Sequence, residues 1–138
     1  MPLEHVNFHS NHRGELMTAH RVLQDMAKST ELDLLDPGNA GTIELDRSMG
    51  VCSVVTAASE TRKIGSPQRT GVIITVCLKT DGGDLAITGA GGEILNSGSG
   101  TETTATMADA GDVLTLISVS KGSNIVWAIL ANHGAALS

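Results

Sequence analysis

The residues whose type and spacing could do chemistry are concentrated near the start of the chain. His5, His9 and His12 fall at i, i+4 and i+7, and His20 follows. That is a helical spacing able to gather imidazoles around zinc or nickel. Asn7, Ser10 and Asn11 between them oppose a stable helix, and no cysteine lies near, so the segment reads as a flexible polar arm. His133 follows the last apolar run and reads as a capping or surface residue. Cys52 and Cys77 sit in separate apolar runs without close-pair spacing, so both read as buried free thiols. Ser53, Asp46 and His20 could be assembled on paper into a triad, but no GxSxG elbow accompanies them. Asp81, Asp84, Asp109 and Asp112 stand in turns, where carboxylates accept backbone hydrogen bonds, and no DxDxDG loop surrounds them. The glycine-rich stretch from Gly89 to Glu93 leads into another β-prone segment, whereas a phosphate loop needs a following helix. Arg62, Lys63 and Arg69 make the densest basic spot, which reads as a solvated connection. No catalytic residue, cofactor or metal ligand is assigned.

Composition narrows the partners. The 138 residues carry nine Lys and Arg against fifteen Asp and Glu, a formal charge of −6, so long-range attraction to nucleic acid or to an anionic bilayer is not expected. One Trp, one Phe and no Tyr leave little for base or sugar platforms and assign the core to Val, Ile, Leu and Ala. The apolar runs, such as Val72 to Val76 and Ile125 to Ala131, fall far short of the roughly 20 residues that span a bilayer. The opening MPLEHVNFHSNHRGE reads as neither a secretory signal nor a membrane anchor.

Positioning elements divide near residue 40. Fourteen of the sixteen glycines follow that point, mixed with Thr, Val and Ile in the manner of short strands and tight turns. Residues 1–40 are therefore expected to form an N-terminal arm and residues 41–138 a β-rich body. Within the arm, Leu16, Ala19, Leu23 and Met26 follow a three-to-four residue spacing, which predicts a short amphipathic helix over residues 15–28. Leu32, Leu34 and Leu35 then read as an extended apolar anchor before the turn at Asp36, Pro37 and Gly38.

In the body, Val72, Ile74, Val76 and Leu78 share one face of a strand, and Val113, Thr115, Ile117 and Val119 one face of another. Ile125, Trp127 and Ile129 align on a third. Asp81, Gly82 and Gly83 predict a hairpin reversal into Asp84 to Thr88, and Lys121 to Asn124 a second turn. The segment from Glu60 to Thr70 is expected to be an exposed connection. Seven or eight short strands without crossover helices predict an antiparallel β-sandwich or jelly roll, preceded by the arm with its one helix.

The succession GTIELDRSMGVCSVVTAASETRKIGSPQRTG, then TDGGDLAIT, then TMADAGDVLTLISVSKGSNIVWAILANHGAALS resembles small structural proteins of tailed bacteriophages, in particular head decoration or cement proteins. The resemblance covers residues 41–138. It implies a non-enzymatic homotrimer on the outer surface of the capsid, binding the major capsid protein. It further implies arm contacts with the capsid or a neighbouring subunit through Leu16, Leu23, Met26, Leu32, Leu34 and Leu35, and a trimer body through the strands of Val76, Ile117 and Trp127. The same β-rich style fits a receptor-binding or carbohydrate-binding module of a fibre or spike, which stands as the alternative.

Overall fold

The computed structural model describes residues 19–23, 32–89, 95–96 and 101–138. The chain divides into two compact units, residues 1–31 and residues 32–138. Residues 19–23 of the first unit are helical, inside the range expected from the apolar spacing, and Val22 and Leu23 are exposed. Leu16, Met26 and the histidines at 5, 9 and 12 lie outside the described residues.

The second unit is mainly β, built from two sheets over one core. Sheet A has seven strands in the order β1 (Asp33–Leu34), β3 (Met49–Val55), β5 (Ile73–Thr80), β10 (Val113–Lys121), β11 (Asn124–His133), β7 (Leu95–Asn96) and β8 (Thr101–Glu102). Sheet B runs β12 (Ala136–Leu137), β9 (Thr104–Met107), β6 (Leu85–Gly89), β4 (Glu60–Ile64) and β2 (Thr42–Ile43). Both sheets give side chains to the same interior: Cys52, Val54, Ile74, Val76, Leu78, Leu114, Leu116 and Trp127 from A, with Ile43, Ile64, Leu85, Ile87, Ala105 and Met107 from B. Each such Val, Ile or Leu contributes about 1.5–3 kcal/mol by leaving water. The indole of Trp127 is buried in this core and donates from Nε1 to the Gly65 carbonyl at 3.0 Å.

The sandwich is mixed rather than antiparallel. From β1 to β6 the chain alternates between the sheets, and each strand lies parallel to the one before it in its own sheet: β1 with β3, β3 with β5, β2 with β4, β4 with β6. A parallel pair needs a crossover, and here the crossover is a strand of the opposite sheet instead of a helix. The antiparallel pairs come later, where β9 joins β6, β10 joins β5 and β11 folds back on β10.

This alternation corrects the expected hairpin at Asp81–Gly83. The turn carries the chain from β5 in sheet A to β6 in sheet B, and it stacks on the equivalent corner between β3 and β4. Thr56 Oγ1 accepts from the Gly82 amide at 3.0 Å and donates to the Gly83 carbonyl at 2.7 Å. A side chain at Gly82 would run into the backbone of Thr56 and Ala57, so close stacking of the two corners requires glycine there. The turn at Lys121–Asn124 is a true hairpin, with Lys121 opposite Asn124 and Gly122 at φ 62°.

Candidate interaction face and arm anchor

Two features of the body are chemically distinctive: the place where the N-terminal chain joins it, and the outward face of sheet A. The first begins with a misleading segment. Glu60 to Ile64, expected in an exposed connection, is strand β4, with Thr61 and Lys63 turned outward and Arg62 and Ile64 inward. Arg62 is only 1% exposed. A buried guanidinium must be paired, and Arg62 is paired twice. Its Nε donates to Asp36 Oδ1 at 2.6 Å and its Nη1 to Glu60 Oε2 at 2.8 Å.

Asp36 gathers further donors, accepting from the amides of Gly38 at 3.0 Å and Val55 at 3.1 Å. Burial opposes its ionisation, but the hydrogen bonds from Arg62 and from these amides prevail and hold the carboxyl below its ordinary value. Glu60 is likewise held low, by the Ala57 amide and by Arg62. Burial works against the charge on Arg62, and the two carboxylates more than compensate, raising its pKa. The next residues are fixed to the same strand. Asn39 Oδ1 accepts from the Thr61 amide at 3.0 Å, and the Ala40 amide donates to the Thr61 carbonyl at 2.7 Å.

The segment 32–40 therefore belongs to the body, and the seam falls ahead of the composition change near residue 40. Leu34, expected as an arm contact, packs against the core in β1, with its side chain over Gly50. Leu35 is 86% exposed and Leu32 is also exposed, so these two remain on the surface beside the anchor.

The second feature follows from the period of the strands. In β3, β5 and β10 the even-numbered positions point into the core, which leaves the odd-numbered ones outward. Across sheet A these line up in rows: Met49, Ile73, Ile117 and Ala128, then Val51, Thr75, Thr115 and Ala131, then Ser53, Cys77, Val113 and His133. The first two rows contain no ionisable group. Their two hydroxyls share one hydrogen bond, with Thr75 Oγ1 and Thr115 Oγ1 3.0 Å apart. Met49 and Val55 are about half exposed, as is Leu130 at the bulge of β11.

Sheet B presents a different outward surface. Its rows read Thr42, Lys63, Thr88 and Thr104, then Thr61, Ala86, Thr106 and Ala136. No large hydrophobic side chain of this sheet is exposed among the described residues.

Of the side chains expected in a trimer body, Val76 and Trp127 point into the core at 0% and 2% exposure, so neither can touch a neighbour. Ile117 faces outward in the middle of sheet A. The three strands that carry them are adjacent; the alternate residues are the ones available. Neither cysteine is in a disulfide. Cys52 is buried, and burial together with the negative charge of Asp36 pushes its thiol up to about 11, against the opposing effect of Arg62. Cys77 is half-buried on the outward face, which corrects its expected place in the core.

The turn aspartates do structural work. Asp112 Oδ2 accepts from the amides of Ala108 and Asp109, and Asp81 Oδ1 accepts from Gly83. Among the described residues no three His, Cys, Asp or Glu side chains converge as metal ligands, and no helix is long and apolar enough to cross a membrane. No family model matches this chain, and no curated protein matches it at a significant level.

Proposed function

We propose that this protein is a virion structural protein, a decoration or cement protein that binds the outer surface of a phage head as a homotrimer and stabilises the shell without catalysis. The arm anchor is the observation that supports this most. The chain that follows residues 1–31 is fixed to the sandwich at once, through β1 and the pairing of Asp36 with the buried Arg62. A grip by residues 1–31 on the major capsid protein would act on the β body through this anchored segment. Three arms on one trimer multiply a weak grip, because each later attachment is intramolecular. The motifs of residues 41–138 that resemble head decoration proteins point the same way.

A sugar- or receptor-binding tip would need its large aromatic side chain outward, whereas Trp127 is in the core. The reading is tested by sedimenting the protein with empty heads of the virus that encodes it. Full-length protein is expected to pellet with the heads, and protein beginning at Leu32 to stay in solution while keeping its β spectrum. Equal binding by both would contradict the role of the arm, and no binding by full-length protein would contradict the cement reading.

A further inference from the structure

We propose that the outward face of sheet A is the surface through which copies of this chain pack together, each presenting the same face to the others. The inference deepens the homotrimer reading and rests on it. Every described strand belongs to one of the two sheets, so none forms a third layer over this face. Four long strands carry it, β3, β5, β10 and β11. At about 4.8 Å between strands and about 3.3 Å per residue they offer roughly 500 Å² of projected surface. Two such faces remove about 1,000 Å² from water, near the lower limit for a specific interface.

Its chemistry selects the occupant. A partner with a charged surface would leave ions unpaired against Ile73, Ile117 and Val51, a desolvation cost without compensation. The first two rows of a second copy bring Val, Ile, Met, Ala and the bonded pair Thr75 and Thr115, and the third brings Val113 and Cys77 with Ser53 and His133 at its ends. The outermost described strands of both sheets, β1, β8, β2 and β12, are two residues long and give an added strand little to pair with, while β11 is paired on its outer side at Ala128 with Asn96. When each copy offers one face to a shared axis, the assembly closes and leaves no apolar remainder to propagate a filament.

The test is the solution mass of the full chain by light scattering, for the wild type, for Ile117→Lys and Val51→Lys on sheet A, and for Thr106→Lys on sheet B. Far-UV circular dichroism keeps only folded variants in the comparison. The expected result is an oligomer for the wild type and for Thr106→Lys, and a single chain of 14.2 kDa for either sheet A variant that folds. A wild-type oligomer that persists in both sheet A variants overturns this inference and leaves the homotrimer reading standing. A folded Thr106→Lys that dissociates equally also overturns it, because the effect is then not specific to the face. A wild type that is monomeric at every concentration overturns both.

Discussion

The two outward faces rest on one core and carry opposite surfaces. On sheet B the positions that alternate with Ile64, Ile87 and Ala105 are threonine, alanine and lysine, side chains that water accepts. On sheet A those that alternate with Gly50, Cys52, Ile74, Val76 and Leu116 are Met49, Val51, Ile73, Cys77 and Ile117, together with the hydroxyl residues Ser53, Thr75 and Thr115. In a single chain that second set contributes through cross-strand packing, such as Ile73 beside Ile117, and not through the shared core. The contrast teaches that the shared core accounts for the inward positions of both sheets, while the outward positions of sheet A carry more apolar surface than those of sheet B.

The comparison assumes a single core beneath both faces, and the largest expected effect tests that assumption. Trp127→Ala removes a fully buried indole and its bond to Gly65, and is expected to cost about 3–5 kcal/mol. Urea unfolding followed by circular dichroism should show one transition at a lower midpoint; two separate transitions would mean that the sheets are stabilised independently. Asp36→Ala comes next, because it leaves the buried Arg62 with Glu60 as its one carboxylate partner beside the Thr61 and Val55 carbonyls. Removing one partner of a buried pair costs about 3–5 kcal/mol, and the partial exposure of Asp36 places this variant near the lower figure.

The same anchor sets the acid sensitivity. Asp36 and Glu60 are held below their ordinary values in the folded state. Their stabilisation is therefore complete above the unfolded carboxylate range, about pH 4, and is lost as pH falls through the lower folded values. Arg62→Met should flatten this dependence in thermal melts between about pH 6 and about pH 3; an unchanged slope would place the acid-sensitive groups elsewhere.

Smaller effects sharpen the contrast itself. Thr56→Val withdraws the acceptor of the Gly82 amide and the donor to the Gly83 carbonyl where the two corners stack, at a cost of about 1–3 kcal/mol in urea unfolding. That loss should be the same whether or not the chain is associated, because Thr56, Gly82 and Gly83 are not members of the outward rows. The double change Thr75→Val with Thr115→Val removes a hydroxyl pair whose members bond only each other, and should alter monomer stability by no more than about 0.5 kcal/mol. A large loss would mean that water or another group uses those hydroxyls.

Much of the fold was legible from period-two patterns. Val72 to Leu78 and Val113 to Val119 are strands, the helix lies in the N-terminal region, and Lys121 to Asn124 is a hairpin. The parallel pairing was not legible, because an Asp-Gly-Gly-Asp turn has the same local chemistry whether the chain doubles back in one sheet or crosses to the other. The crossing is visible only in three dimensions, where the hydroxyl of Thr56, distant in sequence, holds the corner. Arg62 was misplaced because Glu-Thr-Arg-Lys-Ile hides its alternation behind charge, and the partner that makes burial tolerable, Asp36, lies well upstream. The trimer contacts at Val76 and Trp127 are implied by the resemblance, which names strands and not the face of each strand that turns outward.

The contrast between the faces is tested most directly by the thiol chemistry of the two cysteines. Cys52 is in the core, while Cys77 stands in the outward rows of sheet A beside Val113. In folded protein treated with a neutral maleimide, the account predicts slow modification of Cys77 in the wild type, markedly faster modification in Ile117→Lys, and none at Cys52 in either. Equal rates at Cys77 in the two proteins would contradict it, because the face would then be as open in the wild type as in the variant built to separate the copies.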